Sequence, residues 1–373
     1  MRVGILTSSR ADFGIYRPLL KQLLANSNFD LKIIAFGTHL SIFHGNTIDE
    51  ILKEGFEVNY TVDSLLVSDT NESISSTIGL TIIKFSSFWE YNHSQFDIVF
   101  CLGDRFEMLA AVISGVPFGI KFAHIHGGEK TLGAIDNVFR HTITHSSFIH
   151  FASTEVYKNR IVQILDEPKR VYNTGALSLE NINLIQLLSV DEFKLKWKID
   201  LSKPTILFTF HPETVNSEKN NFYIKEIIDT VLSLNKFQFL ITMPNADTYG
   251  NRIRQQFLNT FKDCDNIYLF ENLGTQSYFT AMKFSKLLLG NTSSGIIEAA
   301  SFNKRVINIG DRQAGRAINS NVITTEINKD KIIKAVNKAI SLGDYNGENI
   351  YFNDSKAASS IIIKALIDNE LYI

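Results

Sequence analysis

Leu287-Leu288-Leu289-Gly290-Asn291-Thr292-Ser293-Ser294-Gly295-Ile296-Ile297-Glu298-Ala299-Ala300 decides how the chain is read. An apolar run stops at a glycine, crosses four small polar residues and a second glycine, and resumes with helix-forming spacing. That is the order strand, tight turn, helix. A helix starting at such a turn leaves backbone N–H groups outward, and Thr292, Ser293 and Ser294 add hydroxyls beside them, so the stretch suits a phosphate. Glu298 falls about one turn into that helix. An acid there is repelled by a bound phosphate unless it faces a neutral polyol such as a ribose. The alternative is an ordinary capped turn with an exposed Glu298.

Working outward, Val306–Ile309 is a further strand and delivers Gly310-Asp311-Arg312-Gln313-Ala314-Gly315-Arg316. Two arginines beside a phosphate seat suit a diphosphate, because a guanidinium grips its oxygens in pairs. Upstream, strands are expected at Thr205–Phe210, Phe237–Thr242 and Ile267–Phe270. The first of these ends in His211-Pro212-Glu213-Thr214, and the second is followed by Pro244-Asn245-Ala246-Asp247. This is one α/β half with its polar residues at strand carboxyl ends, where open sheets bind ligands.

The front of the chain repeats the grammar. Val3–Thr7, Leu31–Phe36, Asp97–Leu102, Ile149–Ser153 and Val171–Gly175 read as strands, with a helix from Ile15 to Asn26. The loops after them carry Arg10, His39, Asp104-Arg105, and Ala123-His124-Ile125-His126-Gly127-Gly128-Glu129. Asp136, Arg140, His141 and His145 follow on a helix, where Asp136 and Arg140 are four apart and suit an ion pair. Arg10 suits an anion or a pairing with Asp12. Residues 63–76 read as a polar, mobile loop able to close over a ligand. His124, His141 and His145 read as structural, Glu107 as a helix-surface charge, and Asp247 as a helix cap.

At 373 residues the chain fits two domains. Expected are residues 1–175 as an N-terminal Rossmann-like domain, 176–355 as a C-terminal one, and a final helix in 356–373 that folds back and returns to the first. Charged residues are 20% and the formal net charge is −2, which excludes the basic field of a nucleic-acid binder. The partners are small molecules or further copies of the chain, as a dimer or tetramer. Two cysteines without metal-ligand spacing imply no metal site and a reducing cytoplasm. No run of apolar residues is long enough to span a membrane. Gly-x-Gly-x-x-Gly is missing after the first strand, so no dinucleotide cofactor is expected.

Together, Thr7-Ser8-Ser9-Arg10-Ala11-Asp12-Phe13-Gly14, Gly103-Asp104-Arg105, His124-Ile125-His126-Gly127-Gly128-Glu129, Phe210-His211-Pro212-Glu213-Thr214, Asn245-Ala246-Asp247, Asn291-Thr292-Ser293-Ser294-Gly295 and Gly310-Asp311-Arg312-Gln313 carry a resemblance over nearly the whole chain. The sequence resembles the hydrolysing UDP-N-acetylglucosamine 2-epimerases of sialic-acid biosynthesis. The resemblance implies an α/β, GT-B-like fold of two Rossmann-like parallel-sheet domains facing across a cleft. It also implies a reaction, UDP-N-acetylglucosamine plus water giving UDP and N-acetylmannosamine, by elimination of UDP to a 2-acetamidoglucal and addition of water with inversion at C2.

Carried onto this sequence, the resemblance makes Asp104 and Asp136 acid/base residues and puts Arg105 and His39 at the sugar or diphosphate. His211 lies beside the diphosphate and assists the leaving group. Ser293 and Ser294 match the phosphate turn, Glu298 the ribose and Arg312 the diphosphate or ribose; read from the residues themselves, Arg10 joins at the diphosphate, and Thr292 and Asn245 are further UDP contacts. Where related epimerases carry glutamate in the His-Ile-Glu position, this chain has His126, which leaves the C2 base open among His126, Glu129 and Asp136. The same chemistry on UDP-N,N′-diacetylbacillosamine is the nearest rival. A non-hydrolysing epimerase, a GT-B glycosyltransferase and a non-catalytic nucleotide-sugar sensor are the others.

Overall fold

The structure is a computed structural model that describes residues 1–68, 70–132, 135–213, 219–244, 249–353 and 356–369. By contact the chain divides into two units. Met1–Glu129, Asp136–Asn181 and Tyr351–Ile373 make the first, and Lys130–Ile135 with Ile182–Ile350 the second.

In the first unit, β1 (Arg2–Thr7), β2 (Asp30–Phe36), β3 (Tyr60–Val62), β4 (Ile98–Leu102), β5 (Phe122–Ile125), β6 (Ile149–Ala152) and β7 (Val171–Asn173) form one sheet in the order β3-β2-β1-β4-β5-β6-β7. Every pairing is parallel. All five residues of β4 are buried, as a central strand covered by helices on both faces requires. One core layer includes Phe13, Tyr16, Leu20 and Leu23, spaced to line one side of helix Arg10–Ala25. Ile362 and Leu366 of the final helix, Ala358–Asp368, pack into that same layer. The order reverses direction between β1 and β4, so their carboxyl ends flank a crevice.

The second unit repeats the plan with β8 (Thr205–Thr209), β9 (Gln238–Thr242), β10 (Ile267–Phe270), β11 (Leu287–Gly290), β12 (Val306–Ile309) and β13 (Val322–Thr325), ordered β10-β9-β8-β11-β12-β13 and parallel throughout. Here the reversal falls between β8 and β11, the strands that end at His211 and at the phosphate-type turn. Gly290 has φ +135°, and a Cβ on it would stand 1.8 Å from the Thr209 carbonyl oxygen. Gly290→Ala is accordingly expected to destabilise this unit by more than about 4 kcal/mol. Urea unfolding followed at Trp197 reads it, and an unchanged midpoint would refute the requirement for glycine.

Four expectations are corrected. Helix Arg10–Ala25 begins at Arg10 and not at Ile15, because Ser9 caps it by accepting from the Asp12 N–H. The later part of the expected loop over 63–76 is helix: Thr70 caps helix Asn71–Asn92, which buries Ser73 and Thr77. His124 lies within β5, not in the loop after it. The helix after Thr292 is only Ser293–Ile297, so Glu298 is its C-terminal cap and the chain tightens into a 3-10 turn at Ala299–Phe302. Gly295 lets that short helix sit on β12, since a Cβ there would meet Val306 Cγ1 at 3.0 Å.

Candidate active site

In the first unit the loops after β1 and β2 are bound to each other. The Thr38 N–H and hydroxyl both donate to the Ser8 carbonyl, at 2.9 and 3.0 Å. Asp12 accepts from the Ser8 N–H and hydroxyl at 2.9 and 2.7 Å, so its carboxylate holds the loop that carries half-buried Arg10.

His39 is fully buried, with Nε2 2.9 Å from the Thr7 hydroxyl and Nδ1 2.9 Å from that of Thr47. Burial lowers its pKa to about 4, so the ring is neutral. With both nitrogens committed, the His39 ring braces the loop after β2 against β1 and Thr47.

Burial likewise lowers His124 to about 3 and His150 to about 4. The unfolded chain therefore takes up three protons as pH falls below about 6.5, while the folded chain takes them up only near 4 and 3. Stability is complete above the unfolded value and is lost as pH falls through the folded ones. For His39 alone the loss is on the order of 3 kcal/mol, at about 1.4 kcal/mol per pKa unit. Urea melts between pH 7 and 4, followed at Trp89 in a Trp197→Phe background, should show this slope. His39→Gln should remove about one proton's share, and an unaltered slope would refute the assignment.

After β4, Asp104 Oδ2 accepts from the guanidinium of Arg140, whose side chain is only 2% exposed. Arg140 Nε and the other terminal nitrogen are buried without a partner among the described residues. The expected Asp136 to Arg140 pairing is thus replaced by a bond from Arg140 to a residue 36 positions earlier. Half-buried Asp136 opens helix Asp136–His145. Glu107, expected on the surface, is 1% exposed and takes two hydrogen bonds from Arg105, at 2.9 and 3.2 Å. Part of the Arg105 guanidinium is accordingly spent on fixing the start of helix Phe106–Gly115.

The loop after β5 carries the most pointed geometry. His126 has φ +65°, a backbone region that a non-glycine residue occupies at a cost, and one that gathers at functional sites. Its Nδ1 is 2.8 Å from Glu129 Oε1, which also accepts from the Ser153 hydroxyl at 2.9 Å. A carboxylate only accepts, so Nδ1 carries the proton, and in the neutral ring Nε2 presents a lone pair. Nε2 is buried with no partner among the described residues. The glycines that follow are required: a Cβ on Gly128, at φ +76°, would lie 2.4 Å from the Tyr157 carbonyl oxygen, and one on Gly127 2.9 Å from His124 Nδ1. Arg160 donates to the Gly128 carbonyl at 2.8 Å and secures the loop from outside.

The second unit holds the turn Thr292-Ser293-Ser294, half-buried, with the Thr292 hydroxyl accepting from the Ser294 N–H at 3.4 Å. Five residues make a weak helix dipole, so what this turn offers is its hydroxyls more than the field of a long helix; Arg312 is half-buried. Glu298 is 7% and His211 6% exposed. Glu213 accepts from the Asp311 N–H at 2.8 Å and so anchors the loop bearing Arg312; burial raises its pKa. Asn245, expected to touch UDP, lies outside the described residues, as do Asp247 and Thr214. Sequence reading missed the bond from Arg140 to Asp104, the bond from Ser153 to Glu129 and the structural use of Asn291, none of which has a local signature.

Among the described residues no three acids, histidines or cysteines are grouped to hold a metal ion, and no helix is long and apolar enough to cross a membrane. The family model for UDP-N-acetylglucosamine 2-epimerase matches residues 21–366. A Campylobacter jejuni protein named GDP/UDP-N,N′-diacetylbacillosamine 2-epimerase (hydrolyzing) is 37% identical over 330 residues, covering 88% of this chain and 85% of that one. The polysialic acid biosynthesis protein P7 of Escherichia coli is 33% identical, covering 99% and 95%. Among solved structures, the UDP-GlcNAc 2-epimerase of Neisseria meningitidis bound to UDP-GlcNAc shares the fold with a TM-score of 0.79 at 20% identity, over 99% of this chain and all of that one. The two parallel sheets are GT-B-like, and the chain is an enzyme of the UDP-N-acetylglucosamine 2-epimerase family, of the hydrolysing kind.

Proposed function

We propose that this enzyme cleaves a UDP-2-acetamido sugar with water and inverts C2, by elimination followed by hydration. Thr292, Ser293, Ser294, Arg312 and Arg10 neutralise the diphosphate, and Glu298 accepts from the ribose hydroxyls. As the C1–O bond to UDP breaks, with His211 protonating the departing oxygen, the C2–H proton passes to His126 Nε2 and its electron pair becomes the C1–C2 double bond. Water then adds its hydroxyl to C1, and a proton reaches C2 from the opposite face, from the side of Asp104 and Asp136.

The observation that carries this reading is the buried Nε2 of His126, without a partner among the described residues, on a ring held by Glu129 at its other nitrogen. Glu129 works through His126, because its carboxylate is 2% exposed and already bonded to two side chains.

For the sugar, the Campylobacter relative's name reorders the two candidates and puts N,N′-diacetylbacillosamine first. N-acetylglucosamine, giving N-acetylmannosamine for sialic-acid synthesis, is the second reading, favoured by the family description and the P7 relative. Incubation with each UDP-sugar in deuterated water, followed by NMR, decides. Free 2-epimeric sugar carrying deuterium at C2 supports the reading and names the sugar by which substrate turns over. A UDP-linked epimer means non-hydrolysing chemistry, and no turnover of either removes the proposal.

A further inference from the structure

Asn291 follows the last paired residue of β11 and is 1% exposed. Its Oδ1 accepts from the His211 N–H at 2.7 Å, and its Nδ2 donates to the His211 carbonyl at 2.8 Å. A side-chain amide thus carries the β8–β11 ladder one step past the Thr209 to Gly290 pair, where the strands themselves have parted. The Asn291 backbone is used as well. Its N–H donates to the Thr209 carbonyl at 3.1 Å, and its carbonyl accepts from Nε2 of fully buried Gln313 at 2.7 Å. One residue therefore stitches together the loops after β8, β11 and β12, which carry His211, the serine turn and Arg312.

We infer that Asn291 is a positioning residue for His211: it fixes the point from which the imidazole departs relative to Thr292, Ser293 and Ser294. A leaving diphosphate is then met by hydroxyls and imidazole at one spacing. This rests on the reading that His211 assists the departure of UDP. A buried apolar residue would fill the same volume but neither donate nor accept, whereas a primary amide sets a donor and an acceptor side by side, on separate atoms, against one residue's main chain. Aspartate keeps the shape and the acceptor, and sets a second oxygen against the His211 carbonyl.

The test is a double-mutant cycle on kcat with Asn291→Asp and His211→Ala. Asn291→Asp is expected to lower kcat by about 10²-fold with little change in KM, the size of loss that a misplacement of about 1 Å gives. Acting through His211, it should cost almost nothing further in the His211→Ala background; losses that multiply would overturn the inference. The imidazole ¹⁵N shifts of His211 with and without UDP supply a second readout that needs no turnover. UDP should move them in the parent protein and move them much less in Asn291→Asp, and equal responses would refute the inference even if neither sugar is a substrate. If Asn291→Asp fails to fold, Asn291→Ser, with one hydroxyl in place of the amide, is read in the same two ways.

Discussion

Replacing His126 with asparagine is expected to lower turnover by about 10³-fold, the middle of the range for a general base, while UDP affinity stays within a few-fold. Asparagine is chosen because it tolerates left-handed backbone better than other non-glycine residues, so the φ of +65° is kept. Its amide can still donate to Glu129, which preserves the loop's inner hydrogen bond. What is lost is the basic lone pair now presented by Nε2. Product NMR in deuterated water reads the loss, and calorimetry with UDP reads the affinity. A variant that keeps more than a tenth of the parent rate would take the C2 proton away from His126 and return it to Glu129 or Asp136. Weakened UDP binding would instead mean that the loop serves the nucleotide.

Much of the fold was legible because buried parallel strands write themselves as short, uninterrupted apolar runs: β1, β4, β8 and β11 each fall within a residue or two of where composition puts them. Edge strands write less. β13 buries none of its four residues fully, so Val322–Thr325 carries no apolar run to find. The candidate site was legible as a set of loops but not as a set of pairs. His126 and Glu129 are three apart, and their bond follows from a tight two-glycine loop. Arg140 and Asp104 are joined only by the sheet, which brings the end of β4 against helix Asp136–His145, and no local spacing foretells it. The same holds for Glu107, whose place beside Arg105 reads as an exposed first helical turn, until the packed inner face of that helix is known. Asn291 was quoted as part of a polar turn, yet its amide functions as a length of strand.

Asp104→Asn is expected to abolish measurable turnover, a loss beyond about 10³-fold, and also to weaken the first unit. The two effects have separate causes. Turnover falls because asparagine cannot carry a proton to or from C2. Stability falls because the Arg140 guanidinium, 2% exposed and with two nitrogens already without a partner among the described residues, keeps its charge but loses the carboxylate that balances it. Breaking one side of such a pair costs about 3 kcal/mol or more. Converting Arg140 to glutamine as well removes the stranded charge, so Asp104→Asn with Arg140→Gln should regain most of the lost urea midpoint and remain inactive. Recovery of both stability and turnover in the double variant would mean that Asp104 serves only to neutralise Arg140. Recovery of neither would mean that the pair's geometry, and not its charge, holds the ends of β4 and of helix Asp136–His145 together.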